Sequence, residues 1–148
     1  MKPCIFCKIV RGQLPALKLY EDTDFIAILD INPNTPGMCL VLPKKHYPSY
    51  AFDLPDAVLK RLIIASKKVS KILEQKLKCK RVGLIMEGIG VDHTHMKLYP
   101  MHGLSRKYVS IIHPKRVFFR KYPGYLTSLL GPKISKKKLE KIHRKLTK

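Results

Sequence analysis

The sequence lacks any long hydrophobic run. No apolar stretch in its 148 residues approaches the roughly 20 residues that cross a bilayer, so we expect no membrane span. The first residues also lack the apolar segment of a secretory signal peptide, and we therefore expect a cytoplasmic protein. Without an export signal, the four cysteines are expected to be reduced thiols or metal ligands and not disulfides.

Acidic side chains are scarce, with 10 aspartates and glutamates against 30 lysines and arginines, and the formal net charge is +20. Residues 97–148 hold 15 of the basic residues and a single acid, Glu140. Such a field attracts polyanions, including nucleotides, nucleic acid and anionic membrane surfaces. A composition bias or a need for solubility would give the same balance. Charge therefore indicates that anions are attracted, but not which anion.

The length corresponds to one domain, and 45% apolar residues suffice for one core. Alternating or apolar segments bounded by turn residues predict a short helix at 4–10 and strands at 17–22, 25–30, 38–43 and 81–86. A 3.6-residue period predicts a long helix over 55–77, with core positions at Val58, Leu62, Ile63, Ala65, Val69, Ile72, Leu73 and Leu77. The prediction is an α+β fold with an antiparallel sheet of about five strands and one long helix packed on it.

The pattern weakens after Gly103. Residues 108–112 are predicted as a further strand and residues 136–147 as a last helix with few apolar anchors. We therefore expect a domain of residues 1–102 and a basic C-terminal extension, residues 103–148, which packs on that domain or follows it.

Two histidines and a lysine alternate at His93, His95 and Lys97. On a β-strand these side chains would share one face, with alternate residues about 7 Å apart. Such a strip suits a metal ion or a phosphate group. A half-exposed pair of surface histidines would give the same pattern, so the motif alone does not separate these readings.

A second chemical motif is the C-x-x-C sequence of Cys4 and Cys7. Two thiolates three residues apart can bind one zinc ion from a single turn, so the motif is half of a tetrahedral site. His46 and His93 are candidates for the other half, because both follow predicted strand ends. The alternative is two thiols without a function.

Five segments occur in the order in which they occur in the histidine-triad (HIT) family of nucleotide hydrolases and transferases, which the chain resembles over about residues 3–102. The matching segments are residues 4–10, 20–22, 29–37, 40–46 and 93–97. The resemblance implies a HIT-like domain over 1–102. It also implies an enzyme that cleaves at the α-phosphate of adenosine-type nucleotides, such as phosphoramidates, adenylates or dinucleoside polyphosphates, through a phosphohistidine intermediate.

The resemblance also assigns roles to residues of this chain. It implies that His95 is the nucleophile and that Lys97, at the place of the third histidine, stabilises the phosphate. It implies that Asp30 accepts hydrogen bonds from both ribose hydroxyls. The apolar walls around the base would be formed by Phe6, Ile9 and Ile31, although ordinary core residues would give the same pattern.

The resemblance further implies a structural zinc ion, a purine nucleotide as substrate, and a homodimer formed through the long helix and a sheet edge. The implied zinc ligands are Cys4, Cys7, His46 and His93.

Three departures from the family pattern bear on catalysis. Lys97 keeps a hydrogen-bond donor and adds a fixed charge, but it cannot act as a proton shuttle unless its pKa is strongly lowered. Met86 lies where an asparagine is common, and Met38 replaces a frequent histidine. They leave two alternatives open. One is a nucleic-acid-associated protein that removes adenylate from DNA or RNA ends, although the zinc finger expected of that branch is not recognisable. The other is a non-catalytic nucleotide-binding protein.

Overall fold

The computed structural model describes residues 4–104, 114–127, 132–135, 137 and 146. The chain divides into two compact units, residues 1–108 and residues 109–148. Within the second unit, residues 114–127 form neither helix nor strand, and Lys137 and Leu146 are helical. The predicted strand 108–112 and most of the predicted helix 136–147 lie outside the described residues.

The first unit contains five strands and two α-helices. The strands are β1 (Lys18–Glu21), β2 (Phe25–Leu29), β3 (Cys39–Pro43), β4 (Val82–Ile85) and β5 (Met96–Pro100), and the helices are α1 (Ile5–Val10) and α2 (Asp56–Leu77). The sheet order is β1-β2-β3-β5-β4, and every neighbouring pair is antiparallel. The predicted α+β fold, an antiparallel sheet of five strands with one long helix, is therefore confirmed.

Both faces of the sheet are covered, and for this reason β2 and β3 are apolar at nearly every position and do not alternate with polar residues. On one face, Ala27 and Val41 pack in a core to which α2 contributes Leu62. On the other face, a smaller core joins Phe6 of α1 to four strand residues, Ile26, Ile28, Leu40 and Leu42. The pocket described below lies on this second face.

Helix α2 buries one stripe along its 22 residues: Val58, Leu62, Ala65, Ser66, Val69 and Leu73. Two predicted core positions are wrong, because Ile63 is 43% exposed and Leu77 is 37% exposed. Ser66 lies in the stripe instead, where its hydroxyl donates to the carbonyl of Leu62 at 2.8 Å. This bond satisfies the polar group in the interior. Across the described ranges, no helix has the length and apolar content needed to cross a membrane.

The strand that carries the histidine motif is shorter than predicted. β5 begins at Met96, so His93 and His95 precede the strand, and the prediction that they share one strand face with Lys97 is wrong. The backbone before β5 bonds to the loop after β3 instead. The Thr94 N–H donates to the carbonyl of Tyr47 at 3.0 Å, and the Asp92 carboxylate accepts the N–H of Ser49 at 2.9 Å.

Candidate functional site

Four metal-binding side chains come together from three parts of the chain. Cys4 and Cys7 lie at the start and in the middle of α1, His46 follows β3, and His93 precedes β5. Their candidate ligand atoms all lie within 4.8 Å of one another. The Sγ atom of Cys4 lies 3.4 Å from Nδ1 of His93, and the Sγ atom of Cys7 lies 3.5 Å from Nδ1 of His46. These four residues are called the Cys/His cluster below.

The geometry of the Cys/His cluster suits a tetrahedral divalent ion. Ligands at the usual zinc bond lengths, about 2.3 Å to sulfur and about 2.1 Å to nitrogen, lie about 3.6 Å apart in a tetrahedron. The Nε2 of His93 lies 2.8 Å from the carbonyl of Pro43. Donation from this nitrogen leaves Nδ1 with its lone pair directed to the sulfur atoms, and such outer hydrogen bonds are typical of metal-bound histidines.

The pKa values of the cluster agree with a metal-binding role. Burial lowers the pKa of His93, so its imidazole is neutral at pH 7, the form that binds metals. Burial, followed by the neighbouring Cys4 thiol, raises the pKa of Cys7. A bound cation would therefore be needed to hold both thiols as thiolates at neutral pH.

A pocket of about 670 Å³ lies beside the cluster, on the α1 face of the sheet. Its volume is in the usual range for small-molecule sites. All the predicted nucleotide-site residues line it: Phe6, Ile9, Asp30, Ile31, His95 and Lys97. The ten predicted site residues therefore divide into four that form the Cys/His cluster and six that line the pocket.

The pocket is apolar on one side and carboxylate-bearing at the end of β2. Phe6 is buried and its ring meets the His95 ring edge-on, with centroids 5.3 Å apart. Ile9 is half-buried, whereas Ile31 is 90% exposed and forms the rim. The Asp30 carboxylate accepts the N–H of Asn32 at 2.8 Å. This local turn holds one carboxylate oxygen in place.

The His95 ring is buried and held by the backbone. Its Nδ1 lies 2.7 Å from the carbonyl oxygen of His93. A carbonyl can only accept, so Nδ1 carries the proton and Nε2 keeps a lone pair. His93 thus serves both sites, since its ring belongs to the Cys/His cluster and its carbonyl fixes the His95 tautomer. A metal ion that holds His93 would also fix the nitrogen available in the pocket.

Lys97 forms an ion pair with Glu87, a residue that the sequence reasoning missed. Burial by itself lowers the pKa of Lys97, but the hydrogen bond and charge of Glu87 outweigh it, and the net pKa lies above the ordinary lysine value. Lys97 is therefore a permanent cation at neutral pH. The signal for Glu87 in the sequence was an acid directly after a predicted strand in a chain with few acids.

The other two departures have structural explanations. Met86 packs against the α2 core, and Met38 is buried at 5% exposure beside β3. Gly88 follows Glu87 with φ of +71°, and a Cβ there would lie 2.9 Å from the carbonyl oxygen of Ser49. Glycine is therefore required where this loop passes the loop after β3.

The profile of the HIT domain matches residues 11–108 of this sequence. The chain belongs to the HIT family. A HIT-like protein of Methanocaldococcus jannaschii is 38% identical over 104 residues, 67% of this chain and 79% of that protein. The Arabidopsis thaliana protein named adenylylsulfatase HINT3 is 34% identical over 66% of this chain and 51% of that protein. An adenosine 5'-monophosphoramidase, hnt1 of Schizosaccharomyces pombe, is 37% identical over 66% of this chain and 73% of that protein.

Solved HIT-family structures share this fold. A protein of Streptococcus mutans has a TM-score of 0.69 at 27% identity, covering 99% of this chain and 85% of its own. A zinc-bound histidine-triad protein from Mycobacterium smegmatis has a TM-score of 0.61 at 28% identity, covering 71% of this chain and 80% of its own. The HIT fold thus occurs with zinc in at least one of these neighbours.

Proposed function

We propose that this HIT protein is a nucleotidyl hydrolase or transferase that cleaves at the α-phosphate of adenosine-type nucleotides through a phosphohistidine on His95. The observation that carries the proposal is the fixed tautomer of His95. Its Nδ1 is engaged by the His93 carbonyl at 2.7 Å, so the nitrogen with the free lone pair is Nε2. A neutral imidazole held in this way is a suitable nucleophile at pH 7.

The relatives support adenylyl chemistry. The plant relative is named for adenylyl sulfate and the fission-yeast relative for adenosine 5'-monophosphoramidate. The two names share the adenosine monophosphoryl part and differ in the group attached to phosphorus. A site that binds this shared part and attacks its phosphorus would serve phosphoramidates, adenylates and dinucleoside polyphosphates alike.

The pocket residues take the following parts in the proposal. Asp30 accepts hydrogen bonds from the ribose hydroxyls, while Phe6, Ile9 and Ile31 contact a purine base. In the first step Nε2 of His95 bonds to phosphorus as the bond to the leaving group breaks. In the second step water bonds to phosphorus, and the electron pair of the N–P bond returns to Nε2. The charge of Lys97 stabilises the phosphoryl oxygens in both steps.

The Cys/His cluster supports zinc as the resident ion of this protein. Its two sulfur and two nitrogen donors match a common structural zinc set. Four protein donors leave no position for water or substrate, so the proposed role is structural. Zinc bound there would fix α1 and the 93–95 segment relative to each other.

The test is a turnover screen with purified full-length protein. Adenosine phosphoramidate, adenosine 5'-phosphosulfate, diadenosine polyphosphates and adenylated DNA are each incubated with the protein, and release of AMP is measured. We expect turnover of at least one compound by the native protein and none by His95→Ala. Nucleotide binding without any turnover would support a non-catalytic protein instead, and full activity of His95→Ala would exclude this nucleophile.

A second candidate, removal of adenylate from nucleic-acid ends, is favoured by one observation. Residues 97–148 carry 15 basic residues against one acid, and each neutralised phosphate adds salt-sensitive affinity for nucleic acid. In the screen, a rate on adenylated DNA above the rates on the small adenylates would favour this candidate.

A further inference from the structure

The ion pair of Lys97 with Glu87 places a shielded cation on the pocket wall. Ile85 of β4 pairs with Lys97 of β5, and Glu87 follows two residues later, where its carboxylate reaches the Lys97 amine. The Lys97 and Glu87 side chains are only 22% and 16% exposed. The pair is therefore part of the built site and not a surface contact.

Lys97 in this setting is a charge donor and a poor acid. A general acid works best when its pKa lies near the operating pH, and the ordinary lysine value, about 10.4, is already far above it. The neighbouring Glu87 carboxylate, with smaller effects of Tyr99 and Asp30, holds the Lys97 proton more tightly still. Lys97 can stabilise negative charge on phosphoryl oxygens, but it gives up a proton reluctantly.

The pocket offers no better proton donor among the residues that the structure describes. Its titratable lining side chains are Asp30, His95 and Lys97. Asp30 is an acceptor when ionised, and His95 is the proposed nucleophile, with its Nδ1 proton engaged by the His93 carbonyl. A leaving group bound here must therefore depart without a strong acid next to it.

We propose that this site acts on adenylates whose leaving group departs as a stable oxyanion, such as sulfate, carboxylate or phosphate, in preference to those that release an amine. The inference rests on the proposed function. The His95 Nε2–P bond forms as the P–O bond breaks, and the electron pair stays on the departing oxygen, so no proton is needed. When the bond is P–N, the nitrogen must gain a proton before it can leave. Glu87 acts as a positioning residue that keeps Lys97 charged and directed into the pocket.

Two substrates that differ only in the leaving group test the proposal. Adenosine 5'-phosphosulfate releases sulfate, and adenosine 5'-phosphoramidate releases ammonia from the same adenosine phosphoryl group. We expect kcat/KM for the phosphosulfate to exceed that for the phosphoramidate by about 100-fold or more at pH 7, the scale that a missing general acid costs. Similar values, or a preference for the phosphoramidate, would overturn the proposal.

Variants assign the preference to the ion pair. Lys97→His supplies a group that titrates near neutrality, and we expect it to reduce the preference at least about tenfold. Glu87→Gln removes the carboxylate charge with little change in shape and should reduce the preference by a smaller factor. The matched control is Glu74→Gln, since Glu74 on α2 forms an ion pair with Lys71 at 2.7 Å; its preference should be unchanged. An unchanged preference in Lys97→His would overturn the assignment.

The two proposals fail in different ways. If the native protein turns over neither compound and forms no phosphoenzyme, the proposed function fails and this inference fails with it. If both compounds are turned over at similar rates, the phosphohistidine mechanism stands and only the leaving-group inference is lost.

Discussion

At the scale of single residues, the pocket joins a nucleophile held by the backbone to a cation held by a carboxylate. His95 needs only its own local backbone, because the carbonyl two residues earlier fixes the tautomer. Lys97 depends on Glu87, ten residues away in sequence. A close pair of this kind is sensitive to loss of either partner, since the remaining charge is left partly buried.

Replacement of Lys97 by alanine should slow turnover by about 10²–10³, the usual cost of losing one group that stabilises charge in the transition state. Steady-state kinetics on the best substrate of the screen measures this. The matched control is Lys18→Ala, because Lys18 forms an exposed ion pair with Glu21 at 2.9 Å. An unchanged kcat in Lys97→Ala would remove Lys97 from the reaction.

Asp30→Asn should weaken nucleotide binding more than it slows the chemical step, because the proposed contact is to the ribose and not to the reacting phosphorus. An asparagine keeps the oxygen that accepts the Asn32 N–H at 2.8 Å, so the turn is retained. We expect a raised KM with kcat changed less. Asp24→Asn is the control, as Asp24 is an exposed partner of Arg61. A fall in kcat alone would contradict the ribose contact.

At the scale of elements, α1 is too short to be stable by itself. Helices of fewer than about 12 residues are marginal in water, and α1 has six. Its attachments are Phe6, which packs in the core of the second sheet face, and the two cysteines of the Cys/His cluster. The short helix is therefore stable only through its tertiary contacts, and these also form the pocket wall.

Loss of one thiol from the cluster should release the metal and loosen α1. For Cys7→Ser we expect a zinc content near zero by elemental analysis, where the native protein contains one zinc per chain. Chelator should lower the melting temperature of the native protein but not of Cys7→Ser, because metal binding adds to folding stability only where the site exists. Cys79→Ser, outside the cluster, should keep its zinc. Native protein free of zinc would contradict the assignment.

The orientation of α2 can be tested with two neighbouring residues. Leu62 is fully buried and Ile63 is 43% exposed. Leu62→Ala should lower the free energy of unfolding by about 2–5 kcal/mol, and Ile63→Ala by no more than about 0.5 kcal/mol. Denaturant unfolding monitored by circular dichroism measures both. Equal losses would mean that Ile63 is covered by a partner, which is where a homodimer through α2 would be detected.

At the scale of the whole molecule, charge is distributed unevenly along the chain. Residues 1–96 carry 15 basic and nine acidic residues, whereas residues 97–148 carry 15 basic residues and one acid. The division into a HIT-like domain of residues 1–102 and a basic extension of residues 103–148 stays a prediction, as do the homodimer and the cytoplasmic location. The charge difference is a property of the sequence itself.

The full-length protein should bind duplex DNA in a manner dominated by this charge. If about six phosphates are contacted, affinity should fall about 10³-fold between 50 and 200 mM salt. Fluorescence anisotropy with a labelled duplex and an unrelated duplex measures this, and we expect similar affinities for both. The absence of binding at 50 mM salt would exclude a role for the basic residues in nucleic-acid recognition.

The sequence by itself determined the elements of the first unit and the chemistry of the motifs. The period of α2 and the apolar runs of β2 and β3 are local patterns, and local patterns can be identified without knowing what packs on them. The C-x-x-C and H-x-H-x-K motifs likewise supply donors whose types fix the candidate chemistry. All five strands were therefore predicted to within about one residue at either end, except β5.

Only the tertiary structure decided which side chains meet. The loop after β3 holds the backbone of Thr94, and so β5 begins at Met96 and the His93 ring belongs to the Cys/His cluster instead of the pocket. The ion pair of Glu87 with Lys97 and the exposure of Ile63 likewise depend on which surfaces pack together. Such contacts join residues that are distant in sequence, and no local period specifies them. The physical reason is that packing is a property of pairs of elements, whereas propensity is a property of one.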